Sequence, residues 1–394
     1  MPAVCLYFQV HQPRRLRRYT YFDIGKVHRY DDEVTNRQIL NKVADKCYLP
    51  ANACLYELIR RYGGRFHFAF SLTGILIDQL LAYRPDVLLS FQRLADTGCV
   101  EFLGETDCHS LAFLYSRDEF RVQVALHRER MKNLFGKIPV TFRYTELVYN
   151  NDLAREAEGM GYEVILAEGA NEILGSRTPC AVYRPAGCDR LRLLLRHYRL
   201  SDDVSFRFSR RDWSGYPLTA EKFAHWVHQQ GSDNGLVNLF MDYETFGEHQ
   251  WQDTGIFEFL EKLPAAVLQR PEFEFLTPAE AAARIAPACE LDVAEIVSWA
   301  DTERNLSAWL GNDMQKDAAS TLYGMEKAVL ACRDENLLGI WRMLQTSDHF
   351  YYMCTKWFAD GDVHKYFNPY ASPYDAYINY MNILDDFSRQ VNRT

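Results

Sequence analysis

None of the ten cysteines stands in a C-x-x-C pair, so a ribbon or finger zinc site has no ligand spacing to build on. Residues 5, 47, 54, 99, 108, 180, 188, 289, 332 and 354 are expected as free thiols, mostly buried, Cys180 and Cys188 included. There is no G-x-G-x-x-G and no G-x-x-x-x-G-K-[ST], which removes support for a nucleotide cofactor. There is no G-x-S-x-G elbow for acyl transfer. H-E-x-x-H is also missing, and His225 and His228 read as one face of a helix. No apolar run approaches the ~18 residues that span a bilayer. The basic cluster Arg14, Arg15, Arg17 and Arg18 follows the first apolar run, the reverse of a secretory signal. The expectation is a soluble cytoplasmic chain with no membrane partner, and the cluster reads as a solvated loop. Positive charge is in deficit: 44 Lys and Arg against 53 Asp and Glu give a net −9. Such a chain lacks the basic face that nucleic acid requires.

Aromatics are plentiful, at 14% of 394 residues, with 24 Tyr, 24 Phe and 7 Trp. Many belong in a core. The surplus also suits stacking on the flat apolar faces of sugars. Short apolar runs alternate with amphipathic stretches through the first 285 residues or so. Val4–Val10, Arg65–Phe70, Cys99–Leu103, Ile138–Phe142, Tyr162–Ala167, Leu191–His197, Leu236–Met241 and Glu272–Leu276 read as strands. Val43–Arg61, Gly74–Ala95, Arg117–Leu134, Asp152–Met160, Ala220–Gln230 and Gly255–Leu268 read as helices. This alternation predicts an α/β fold, a closed barrel of seven or eight parallel strands over 1–285. Residues 286–394 read as helices, broken by a loop over Asp360–Pro373. No low-complexity linker separates the two parts, so they are expected to pack together.

Catalytic side chains of such barrels sit at the C-terminal ends of strands. Four places qualify: His11-Gln12-Pro13, Gly104 to His109, Tyr144-Thr145-Glu146, and Asp242-Tyr243-Glu244. Any one of these polar residues, taken alone, is better read as a helix cap. Their convergence on one barrel mouth favours chemistry. Two carboxylates, one nucleophilic and one acidic, are the equipment for cleaving a glycosidic bond. Asp242 follows the apolar run Gly235–Met241, and a carboxyl against an apolar wall holds its proton towards neutral pH. A second reading combines His11, His109, Asp107 and Asp242 in a metal centre of the polysaccharide-deacetylase type.

At these residues the chain resembles glycoside hydrolase family 57, the retaining amylases and 4-α-glucanotransferases. His11-Gln12-Pro13 is similar to the family's first motif, and Glu101 to Thr106 lies where the second is expected. Phe142 to Asn151 resembles the third, and Met241 to His249 closely resembles the fourth. Trp299-Ala300-Asp301 with Leu306 to Asn312 resembles the fifth. The motifs run in order from residue 11 to about 315. The resemblance implies a (β/α)₇ barrel, a helical C-terminal domain that reaches the cleft, no cofactor and no required metal. It implies Glu146 as nucleophile and Asp242 as acid/base. It places His11, Gln12, Glu105, His109, Glu244, Trp299, Asp301, Asp348 and Tyr351 at the substrate cleft, with Trp299 as a stacking platform; His11 and His109 are expected to bond sugar hydroxyls or the nucleophile, and Glu244 to hold Asp242 or cap a helix. Trp309, Trp341 and Trp357 are expected in the helical core. The chain lacks the extra length of glucanotransferases and branching enzymes, which points to α-amylase-like hydrolysis of an α-1,4-glucan.

Overall fold

A computed structural model describes residues 2–230, 235–356 and 368–393. Its centre is a ring of parallel strands built on β1 (Ala3–Val10), in which every residue is buried. A strand buried on both faces is an almost unbroken apolar run, as Ala-Val-Cys-Leu-Tyr-Phe-Gln-Val is. β1 lies between β2 (Phe68–Leu72) and β8 (Leu236–Asp242), and β2 pairs with β3 (Val100–Phe102). On the far side, β4 (Thr141–Arg143) pairs with β5 (Val164–Glu168), and β5 with β7 (Arg192–Arg196). Two seams join these halves. At the first, the Gly104 N–H donates to Thr141 O and the Arg143 N–H to Gly104 O. Only glycine fits at that seam, because a Cβ on Gly104 would collide with the Tyr162 ring. At the second, β7 meets β8 with Arg196 in register with Asn238, and Arg196 Nε–H donates to Phe240 O while Asn238 Nδ2–H donates to Leu195 O. The result is the expected seven-stranded β/α ring, in the order β3-β2-β1-β8-β7-β5-β4.

The observed elements follow the apolar periodicity closely. Helix Ala220–Gln230 has the expected ends, and helix Arg117–Phe135 runs one residue further. The expected helix over Gly74–Ala95 is two helices, broken at Arg84 before Pro85. Two strands were not legible. β6 (Val182–Pro185) runs antiparallel to β7, and β10 (Glu290–Leu291) pairs with β6. Both are too short to show a period. β9 (Glu274–Phe275) pairs with β1 at its N-terminal end.

After β10 the first helix is Ser307–Leu310, and helices then run from Asp313 to Tyr351 with short breaks. The last helix, Pro373–Val391, begins where the expected loop ends. The rest of that loop, together with Trp357, lies mostly outside the described residues. One apolar cluster runs from Phe142, Tyr149 and Leu193 of the barrel side into Leu322, Trp341 and Phe387 of the helices. The two parts are therefore packed, not tethered. Trp309 and Trp341 are buried in that core, as expected. All ten cysteines are free. No helix among the described residues is long and apolar enough to cross a membrane.

Candidate active site

The strand ends bring polar residues into one layer at the top of the ring. Gln9 of β1 is in register with Asp242 of β8 on one side and Ser71 of β2 on the other. Arg143 ends β4, Glu168 ends β5 and Arg196 ends β7. Above this layer a cleft is lined by His11, Gln12, His109, Glu146, Asp242, Glu244, Trp299, Asp348 and Tyr351, among others. The barrel contributes the first six and the later segment the last three.

Glu146 is held from three sides. Trp299 Nε1–H donates to its Oε2 at 2.7 Å, His109 Nε2–H donates to Oε1 at 3.0 Å, and the Ser347 hydroxyl reaches Oε1 at 3.4 Å. Its backbone is left-handed, with φ 60°, and His109 has φ 52°. Such conformations persist only where the surroundings enforce them. Burial alone would raise the Glu146 pKa. The hydrogen bond and charge of His109, helped by Arg143, outweigh burial and bring it to about 2. His109 in turn is pushed up to about 9: burial opposes its charge, but Glu105 and Glu146 bond to its two ring nitrogens. Near neutral pH the ring is cationic and donates to both carboxylates.

Asp242 behaves oppositely. Burial, then the charge of Glu146, raises its pKa to about 7 despite Arg143, Arg196 and His109 nearby. Glu244 is raised to about 8, by burial and then by the Asp242 charge. It accepts from the Tyr48 hydroxyl and from Gln12 Nε2 at 3.3 Å. The site thus holds one carboxylate ionised and one carboxyl protonated at the same pH, the arrangement that separates a nucleophile from an acid.

His11 stacks on His109 with ring centres 4.1 Å apart. Burial and the His109 charge keep it below its usual pKa, so it is neutral. The Thr73 hydroxyl lies 2.9 Å from Nδ1, and Nε2–H donates to Asp348 at 2.9 Å. Burial would raise the Asp348 pKa, but the hydrogen bond from His11 and the charge of His109 hold it well below the usual carboxylate range. His11, His109 and Asp348 offer ligand atoms within 4.8 Å of one another, close enough for a metal. Both nitrogens of His109 already serve carboxylates, which leaves the ring no lone pair for a cation. Asp107, a member of the alternative metal set, faces away: Arg130 holds it at 2.9 and 3.1 Å. His228 Nε2 bonds Val267 O and His225 bonds Gln229, as residues of a helix face do.

Several expectations need correction. Glu105 is fully buried behind His109 and does not line the cleft; it accepts from Ser71 at 2.7 Å and from His109. Its influence on a ligand passes through the histidine. Asp301 does not line the cleft either; it occupies a strained turn with φ 54°. Trp299 lines the cleft, but Phe240 stacks on its indole at 5.1 Å and its N–H is given to Glu146. It is a support for the carboxylate more than an open sugar platform. Arg15 is buried, not solvated, and donates to Gln12 Oε1 at 3.0 Å and Pro13 O at 3.3 Å.

The sequence reading missed Gln9, Arg143, His249 and Tyr352, all of which line the cleft. A polar residue in an apolar strand, as Gln9 is, and an Arg closing β4 were the available signals. It also missed the support behind Trp299. Arg196 bonds Glu168 at 3.0 Å and Asp202 at 2.5 Å, and Arg304 reaches Glu168 at 3.3 Å and the Trp299 carbonyl. Removing one member of a buried ion pair costs about 3–5 kcal/mol, so this network is a stiff backing for the indole.

The Glycosyl hydrolase family 57 model matches residues 5–294. A Methanocaldococcus jannaschii protein named "Putative alpha-amylase" is 42% identical over 392 residues, 96% of this chain and 83% of that one. The 4-alpha-glucanotransferase of Thermococcus litoralis shares the fold with TM-score 0.69 at 13% identity; the match covers 88% of this chain but only 55% of that one. The alpha-amylase of Thermotoga maritima aligns with TM-score 0.65 at 13% identity, over 99% of this chain and 93% of its own.

Proposed function

This chain belongs to glycosyl hydrolase family 57, and we propose that it hydrolyses α-1,4-glucans by double displacement, with Glu146 as nucleophile and Asp242 as acid/base. The observation that carries this reading is the split between the two carboxyls, Glu146 at about 2 and Asp242 at about 7, on one cleft. In the first step Asp242 protonates the leaving glycosidic oxygen while Glu146 attacks C1. The C1–oxygen bond breaks and a β-glycosyl ester forms. Asp242, now ionised, then takes a proton from water as that water attacks C1. The ester breaks, Glu146 is released as carboxylate, and the sugar leaves with its α-configuration retained. Trp299 and His109 aim the Glu146 oxygens and keep them ionised. His11, Gln12, Glu244, Asp348 and Tyr351 bind the sugar. The division near residue 285 belongs to the same reading, with the later part completing the cleft through Trp299, Asp348 and Tyr351. So does a cytoplasmic setting, supported by ten free thiols.

Hydrolysis is favoured over transfer by the relative named as an alpha-amylase, which this chain matches over most of both lengths. Chromatography of products from maltooligosaccharides tests this. Shorter sugars alone are expected; sugars longer than the substrate would make the enzyme a transferase.

The pH profile follows from the same groups. Catalysis needs Glu146 ionised and Asp242 protonated. Raising the pH through about 7 removes the Asp242 proton, so kcat/KM should fall tenfold per pH unit above it. Lowering the pH to 4 leaves Glu146 ionised, so no acid loss from this group is expected down to that pH. A rate that rises between pH 7 and 9 would contradict the assignment.

A further inference from the structure

We infer that Gln9 and Arg143 hold the hydroxyls of the glucosyl unit under attack. This rests on the glucan-cleaving reading above. Gln9 is 3% exposed and lines the cleft, yet neither amide atom has a hydrogen-bond partner among the described residues. Buried side-chain amides are almost always satisfied. Its strand neighbours do not supply the partner, since the Ser71 hydroxyl is given to Glu105. Arg143 is fully buried and also lines the cleft. None of its guanidinium nitrogens has a hydrogen-bond partner among the described residues; Glu105 Oε2, at 3.8 Å, is an ion-pair neighbour only. The Phe240 and Trp299 rings lie 5.4 and 5.8 Å from the guanidinium carbon and restrict where it can point.

The unmet groups describe their ligand. The guanidinium only donates, whereas the amide donates and accepts. A sugar hydroxyl does both, and adjacent ring hydroxyls would engage the two residues together. An anion would suit Arg143 but would meet the ionised Glu146 in the same cleft. A neutral polyhydroxylated ring is therefore the better match. Gln9 is in register with Asp242, and Arg143 precedes Glu146 by three residues. The ring these residues hold is the one whose C1 lies between the two carboxyls. A site that hydrogen-bonds a hydroxyl discriminates strongly against an analogue without it.

The test uses α-maltosyl fluoride and three analogues, each lacking the 2-, 3- or 6-hydroxyl of the fluoride-bearing ring. Wild type, Gln9→Met, Gln9→Asn and Arg143→Met are compared, with thermal unfolding run alongside. On the parent fluoride, Gln9→Met is expected to lose about 10²-fold in kcat/KM. On the analogue lacking the hydroxyl that Gln9 holds, the same variant should lie within about threefold of wild type, because the contact is already gone. Arg143→Met should show the same collapse on one analogue. Gln9→Asn keeps the amide one methylene short and is expected to fall between. An equal penalty on all four substrates, in whichever Gln9 variant folds, would overturn the inference and make Gln9 structural. Wild type that turns over neither the parent fluoride nor maltooligosaccharides would overturn the glucan reading, and this inference with it.

Discussion

Glu146→Ala is expected to lower turnover of maltooligosaccharides by roughly 10⁴–10⁶-fold, the loss seen when a covalent nucleophile is deleted. No neighbour can replace it. Asp348 is ionised but bound to His11, Glu105 is buried behind His109, and Asp242 and Glu244 hold their protons near neutral pH. The fold should survive, since alanine and glutamate carry a similar cost at φ 60°. Added azide tests the geometry of the loss. With a substrate bearing a good leaving group, azide fills the space of the missing carboxylate and attacks C1 from its side. The product should be the β-azide, identified by its NMR coupling. An α-azide from this variant would mean that the deleted group was not the nucleophile.

Asp242→Ala should behave differently in kind. General acid assistance contributes about 10²–10⁴-fold, so glucans, whose leaving oxygen needs a proton, should slow by that factor. A maltosyl fluoride or dinitrophenyl maltoside needs little protonation, so its first step should be nearly intact. The intermediate should then accumulate, because no base activates water. Azide, which needs no base, attacks it from the opposite face and should yield the α-azide. The alkaline fall in kcat/KM should vanish, since the group pushed up to about 7 by burial and by Glu146 is gone. An equal loss on all leaving groups would deny Asp242 the role of acid.

Much of this was legible in the chain. The strand that carries Asp242 is an apolar run with a carboxylate at its end, and both facts are visible in Leu236–Asp242. His11 and Glu146 likewise follow short apolar runs, so strand-end logic finds them. Partnership was not legible. Nothing near residue 146 says that an indole 153 positions away donates to it, or that His109, one of whose expected partners was the nucleophile, is held from behind by Glu105. Those contacts depend on closure of the ring at Gly104 and on where the loop at 298–305 folds back. Arg15 illustrates the same limit: a cluster of arginines looks solvated until one of them turns inward to hold Gln12. Gln9 escaped because one polar residue in an apolar strand leaves no periodic mark.

Double displacement requires a covalent glycosyl ester on Glu146. Incubation of the wild-type enzyme with 5-fluoro-α-maltosyl fluoride, followed by tryptic digestion and mass spectrometry, tests it most directly. Cleavage after Arg143 and Arg155 isolates the peptide from Tyr144 to Arg155. This peptide is expected to gain the mass of one fluoromaltosyl group, with fragmentation placing it on Glu146. A label on the peptide carrying Asp242, or no label together with a β-configured product from natural substrate, would contradict it.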